Sequence, residues 1–242
     1  MRDKKTILII HEEREENERI NSMLERAGYK AISVLNSKEA VSEASETLPD
    51  IILICKESST MDSLTLLRTL RKLFDYPIII LSEAINEDSI VESLDNGAYD
   101  YFIAPFGTNE HMARIRATLR HLSVWRDDFK TVGVFSVGGL TVDYTTRTVS
   151  VDDAIIHLTP IEFRIISLLT RNAGRVLKHE QIISEIWGPD NSDNLVLRVN
   201  MANIRRKIES DPSTPKYILT EMGVGYKVAS PTLESITNKK PV

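Results

Sequence analysis

Five short apolar runs, residues 6–10, 31–34, 51–54, 77–81 and 101–103, punctuate the first half of the chain, and a helical pattern follows each. Those patterns lie near residues 14–27, 37–47, 63–73, 87–96 and 108–121. A run that is apolar throughout, not only on alternate residues, suits a strand covered on both faces, and regular strand–helix alternation delivers parallel strands. The first 121 residues therefore predict an α/β domain, doubly wound around a five-stranded parallel sheet. Its working crevice should lie beyond the C-terminal ends of the strands. That singles out His11, Glu12 and Glu13 after the first run, Cys55 after the third, Ser82 after the fourth and Ala104 after the fifth.

Residues 122–133 mix charge with Trp125, continue no clear period and are read as a linker. Beyond them the character changes. Short β-rich stretches at 135–137, 140–144, 147–151 and 154–157 are separated by Gly-Gly, Thr-Thr and Asp-Asp, the pattern of a meander. Thr159-Pro160 with Glu162 signals a capped helix start. The helix IEFRIISLLTRN follows and ends at Ala173-Gly174. HEQIISEIW forms a second helix that stops at Gly188-Pro189, and a polar loop at 190–193 launches a third. Asp211-Pro212 breaks the chain, and 217–220 with 226–228 form a β-hairpin. Helix, helix, helix and hairpin in this order make a winged helix-turn-helix over residues 134–230. The last stretch, 231–242, has no period and is expected to be disordered.

The third of those helices, LVLRVNMANIRRKI at 195–208, carries the main chemical signal. At about 3.6 residues per turn, Leu197, Met201, Ile204 and Ile208 fall on one apolar stripe. Leu195, Val199, Ala202 and Arg206 fall opposite, flanked by Arg198 and Asn203. No carboxylate interrupts residues 194–208, whereas Arg198, Arg205, Arg206 and Lys207 all lie within them. Such a helix suits insertion between two walls of phosphate. Arg205 and Lys207, off the outer face, are assigned to a solvated helix end near the favourable C-terminal dipole.

Charge and cysteine content narrow the setting. Residues 1–121 hold 15 Lys and Arg against 21 Asp and Glu, net −6, and residues 122–242 hold 15 against 14, net +1. Bulk attraction to nucleic acid is thus excluded, and any DNA binding must come from local placement of charge. The single Cys55 rules out an internal disulfide framework and fits a reducing compartment. The apolar run at 6–10 is too short for a signal peptide or a membrane span, so a cytoplasmic protein is expected, with no membrane partner.

The runs ILIIHEE, PDIILIC, PIIILSE and GAYDYFIAPF resemble the strand-end motifs of two-component receiver domains across residues 5–121. In that family two adjacent acids help hold a divalent metal, an aspartate accepts a phosphoryl group, a Ser or Thr contacts the phosphate and a lysine precedes Pro-Phe. The resemblance places His11 and Glu12 at the acid pair, Cys55 at the acceptor, Ser82 at the hydroxyl and Ala104 at the lysine. Three of these five positions have lost the expected chemistry. A hard magnesium ion wants several oxygen ligands, and phosphoryl transfer wants cationic compensation. A thiol and an alanine supply neither. The expectation is a receiver that does not use aspartyl phosphate, with no resident metal and no cofactor. Tyr101 matches the family's switch aromatic. Leu94, Asp100, Glu110, Ala113, Arg114 and Arg116 match part of the surface through which OmpR/PhoB-type receivers pair, which implies a homodimer.

LTPIEFRIISLL, GRVLKHEQIISEIWG, VNMANIRRKIE and TEMGVGYKV resemble the OmpR/PhoB DNA-binding domain over residues 134–229, in order and at the expected spacing. LRVNMANIRRKIE with its flanks is most similar to the KdpE branch of that family, which controls potassium-transport operons. The resemblance implies double-stranded promoter DNA as the partner, read as two half-sites about one helical turn apart. Leu195, Val199 and Ala202 are placed to meet thymine methyls, and Arg198, Asn203 and Arg206 to hydrogen-bond bases or phosphates. Lys227 on the hairpin is expected at the backbone or minor groove. RNA polymerase is a further partner compatible with this class, and the altered pocket puts a cognate sensor kinase in doubt. Two alternatives remain open: a redox or metal sensor with Cys55 as its input, and a receiver phosphorylated at another side chain. An enzyme is not expected, because no orienting group or substrate signature accompanies Cys55 and His11.

Overall fold

A computed structural model describes residues 4–56, 62–83, 86–128, 133–189 and 193–230. The chain divides into two compact units between Leu119 and Arg120. The chain runs β1 (Thr6–Ile10), α1 (Arg14–Arg26), β2 (Lys30–Val34), α2 (Ser37–Thr47), β3 (Ile51–Lys56), α3 (Ser63–Leu73), β4 (Ile78–Ser82), α4 (Glu87–Asp95), β5 (Asp100–Ile103) and α5 (Asn109–Asp128), within which the division falls. The five strands form one parallel sheet in the order β2-β1-β3-β4-β5. Ile7, Ile9, Leu53 and Ile79 lie in a core cluster with Leu24 of α1 and Ile115 of α5. Local chemistry starts the helices where the polar residues predict. Asn36 accepts from the Lys38 and Glu39 N–H groups at 3.1 and 3.0 Å, Asp62 from Thr65 at 3.1 Å and Asn86 from Asp88 at 2.9 Å.

Two boundaries differ from the sequence expectation by more than one residue. Strand β3 continues through Cys55 and Lys56, because backbone pairing carries on to Leu81 and Ser82 of β4 after the apolar run stops. Helix α5 continues to Asp128, so the expected linker at 122–133 begins inside a helix. The segment HLSVWRDD holds no Gly or Pro to end it, and the loss of an apolar period there does not stop the backbone. The expected tail, 231–242, lies outside the described residues, as do 190–192 of the expected polar loop.

The second unit opens with an antiparallel sheet of β6 (Val134–Val137), β7 (Leu140–Asp143), β8 (Thr148–Val151) and β9 (Ala154–Ile156) in sequence order. Then come α6 (Pro160–Arg171), β10 (Leu177–Lys178), α7 (His179–Trp187), α8 (Asn194–Ile208), β11 (Ile218–Glu221) and β12 (Gly225–Val228). Thr159 and Glu162 close a reciprocal capping box at the start of α6, with bonds of 3.4 and 2.7 Å. Strand β10, which two residues alone cannot announce in a sequence, joins the hairpin in the order β10-β12-β11. Gly225 permits that approach, since a Cβ there would sit 1.9 Å from the Leu177 carbonyl oxygen. Among the described residues no helix is long and apolar enough to cross a membrane.

Candidate nucleic-acid interface and strand-end crevice

The receiver-like crevice is built on the C-terminal strand ends, but the predicted set does not line it together. His11 is buried, and its Nδ1 accepts the Glu13 N–H at 3.0 Å. The Asn17 amide donates to the carbonyls of His11 and Val34 at 3.3 and 3.1 Å, tying β1 to β2. His11 thus serves the turn after β1. Cys55 is 4% exposed and belongs to the apolar cluster that includes Leu81, Phe102 and Phe106. Ser82 is buried, and its carbonyl accepts the Ala104 N–H at 2.9 Å. The open cleft, of about 470 Å³, is lined by Glu13, Glu16, Arg19, Glu83, Ala104 and Pro105. Of the five predicted pocket residues, only Ala104 reaches that lining.

Glu12 is half-buried beside a position where the family has a second acid, and the acceptor position carries a buried thiol. Among the described residues the cation lining this cleft is Arg19, whose Nε donates to Glu16 at 2.6 Å and whose hydrogen bond holds the Glu16 carboxyl below the usual carboxylate range. Among the described residues no group of three His, Cys, Asp or Glu side chains could hold a metal ion.

The expected pairing face needs correction. Leu94 is 1% exposed, turned from α4 into the core, and Asp100 at the start of β5 is equally buried. Arg114 is drawn inward with it. Its guanidinium donates to Asp100 at 3.2 Å and to Glu110 at 2.9 Å, and lies over the Phe102 ring at 5.8 Å. Only Glu110 and Arg116 are exposed, with Ala113 half-buried. Tyr101 is also buried.

In the second unit α8 is launched by Asp193, which accepts from the Leu195 N–H at 2.8 Å. Leu197, Met201, Ile204 and Ile208 are buried, as their spacing predicts. Val199 and Asn203 are buried too, at 8% and 5% exposure, so neither presents a side chain on the outer face. The reason is packing: α6 and α7 both lie against α8. Two neighbours widen the covered arc to a second row, Val196, Val199, Asn200 and Asn203, spaced three and four apart. Leu195 is half-buried. The exposed row is Arg198, Ala202 and Arg206, four residues apart and spanning ~12 Å of helix. The Asn203 Oδ1 accepts from Arg206, which orients the guanidinium.

Arg205 is half-buried and Lys207 is exposed, as a helix end predicts in part, but each has a specific partner. Lys207 donates to the buried Glu162 of the α6 capping box at 2.6 Å. Arg205 donates to the Ile218 carbonyl at 3.2 and 2.7 Å and to Thr220 Oγ1 at 2.7 Å, and lies over the Tyr226 ring at 5.6 Å. Sequence reasoning also missed Glu209, a buried carboxylate just past α8 that accepts N–H groups of Lys216, Tyr217 and Ile218. Its partners are backbone groups, which carry no residue signature. On the hairpin Lys227 pairs with Glu221, and Met222 at the tip, beside Gly223 at φ +72°, is 90% exposed.

A doubly wound receiver domain and a winged helix with a cationic outward row define a DNA-binding response regulator. Residues 7–116 match the response regulator receiver domain family, and residues 153–228 match the transcriptional regulatory protein C-terminal family. The KDP operon transcriptional regulatory protein KdpE of Escherichia coli (strain K12) is 33% identical over 222 residues, 91% of this chain and 97% of that protein. The transcriptional regulatory protein KdpE of Mycobacterium tuberculosis (strain CDC 1551 / Oshkosh) is 34% identical over the same shares. The chain belongs to the OmpR/PhoB family of response regulators, which are transcription regulators and not enzymes. Among solved structures, a cysteine-to-serine mutant of RitR superposes with a TM-score of 0.76 at 24% identity, covering 93% of this chain and 98% of that one, a likeness of fold.

Proposed function

We propose that the protein regulates a promoter by binding its operator as a homodimer, with a receiver that does not depend on aspartyl phosphate. The observation that carries this is Cys55. It stands at the acceptor position, 4% exposed within an apolar cluster, while Ala104 supplies no cation where the family has lysine. The loss is therefore of the carboxylate acceptor, of access and of charge compensation together. Incubation of the full chain with a small phosphodonor and magnesium is expected to leave its intact mass unchanged. A stable acid-labile phosphate adduct on the receiver would overturn the proposal. The same burial speaks against Cys55 as a redox input, since thiol reactivity requires exposure and a lowered pKa.

Arg198, Ala202 and Arg206 are the residues proposed to face bases and phosphates, with Leu195 at the margin and Lys227 on the wing. The KDP operon named for the Escherichia coli relative makes a potassium-transport promoter the first operator to try. Pairing would use Glu110, Ala113 and Arg116, the part of the expected surface that is not buried. Sedimentation at micromolar concentration should show a dimer, and monomer alone would remove that element. RNA polymerase is a further partner of such a regulator, and a sensor kinase is not required by it.

A further inference from the structure

We infer that Glu209 and Arg205 are positioning residues that lock the wing onto the reading helix, so that DNA meets both as one rigid body. The inference rests on the DNA-binding function proposed above. Glu209 follows the last residue of α8 and donates its own N–H to the Arg205 carbonyl at 2.9 Å, the final helical bond. Its carboxylate then gathers three successive backbone donors: Lys216 at 2.7 Å, Tyr217 at 2.9 Å and Ile218 at 2.8 Å. Consecutive N–H groups converging on one anion form a concave nest, and a charged acceptor strengthens each bond. Four residues earlier, on the same side of the helix, Arg205 holds the Ile218 carbonyl and the Thr220 hydroxyl. Both polar groups of Ile218 are thus taken by side chains from this helix end, the N–H by an anion and the C=O by a cation.

The sheet order explains why this device is needed. Strand β11 is an edge of β10-β12-β11, with only β12 beside it, so its outward backbone groups lack a strand partner. Two charged side chains from the end of α8 stand in for that missing neighbour. Between them the chain turns at residues 210–215, where Asp211 accepts from Ser213 and Thr214 and its carboxyl is held down at about 2 by those hydroxyls. The Arg206 row and the Met222 tip consequently sit at a fixed separation. Major-groove contacts from α8 and contacts from the wing should then be made in a single register.

The test uses full-length protein on an operator bound by wild type. At saturating protein, Glu209→Gln should keep protection of major-groove bases contacted by α8 but lose protection on the flank covered by the wing. Affinity should fall about tenfold, the scale of one lost charge-assisted bond. Hydrogen exchange without DNA should show faster exchange at Lys216, Tyr217 and Ile218 with α6 and α7 unchanged. Arg205→Lys, which keeps the charge and loses the planar fork, should repeat the footprint change. Unchanged exchange at those three amides, or a footprint lost uniformly across both regions, would overturn the clamp. Failure of the wild-type protein to bind any promoter in a genome-wide binding screen would instead overturn the DNA-binding function, while the exchange measurement still decides the clamp.

Discussion

Arg206→Ala is expected to weaken operator binding by the full-length protein by roughly 1–3 kcal/mol, about five- to 150-fold. Three features concentrate the effect at this residue. Arg206 is exposed at the end of the row formed with Arg198 and Ala202, it lies on a helix with no acid between Asn194 and Ile208, and Asn203 holds its guanidinium. A pre-oriented fork loses less side-chain freedom on binding than a free one, and it can engage a guanine edge or a phosphate with two donors. Titration at fixed salt measures the loss, and its sequence dependence assigns the contact. A base contact relaxes preference at one position. A phosphate contact weakens all sequences alike and lowers the salt slope by about one. Arg206→Lys should not restore a two-donor contact. Affinity unchanged from wild type would remove Arg206 from the interface.

The three consecutive cations, Arg205, Arg206 and Lys207, show where the sequence stops speaking. Their charge and helical context are visible in the chain, and Arg206 faces outward as its angle predicts. Their partners are not visible. Arg205 answers a carbonyl 13 residues away and Lys207 a carboxylate 45 residues away, pairs that no periodicity links. The same limit explains Val199 and Asn203. The apolar stripe of α8 is legible, but a second covering helix widens it, and the number of neighbours is a property of tertiary packing. In the receiver, near-continuous apolar runs mark β1, β3 and β4, where burial on both faces leaves no alternation to confuse, whereas the edge strand β2 keeps Lys30 and Ser33 exposed and is marked more weakly. The altered pocket chemistry is equally plain in Cys55 and Ala104. What the chain cannot display is depth: that Cys55, His11 and Ser82 lie beneath the cleft follows from strand register and from the turn that Asn17 and Glu13 build around His11.

Arg114→Met should destabilise the receiver by about 3 kcal/mol, the low end of the cost of leaving one member of a buried ion pair alone. Asp100 is 1% exposed and receives the guanidinium at 3.2 Å, and it also accepts the Tyr101 N–H at 2.8 Å. Methionine fills the volume over Phe102 but takes the cation away from the buried carboxylate. The low end applies because the Arg114 Nε has no acceptor among the described residues, so its removal also relieves an unsatisfied donor. The exposed Glu110 contributes little, since solvent screens its pairing. Denaturant unfolding of the full chain, followed at the receiver, measures the change. Asp100→Asn combined with Arg114→Met should cost clearly less than the two single changes added, because the second removal relieves the charge left uncompensated by the first. A residue whose work lay in subunit pairing would behave differently: Arg114→Met would then shift the monomer–dimer equilibrium and leave unfolding of the monomer untouched. Buried as it is against β5, Arg114 is expected to hold the receiver together before it holds two receivers to each other.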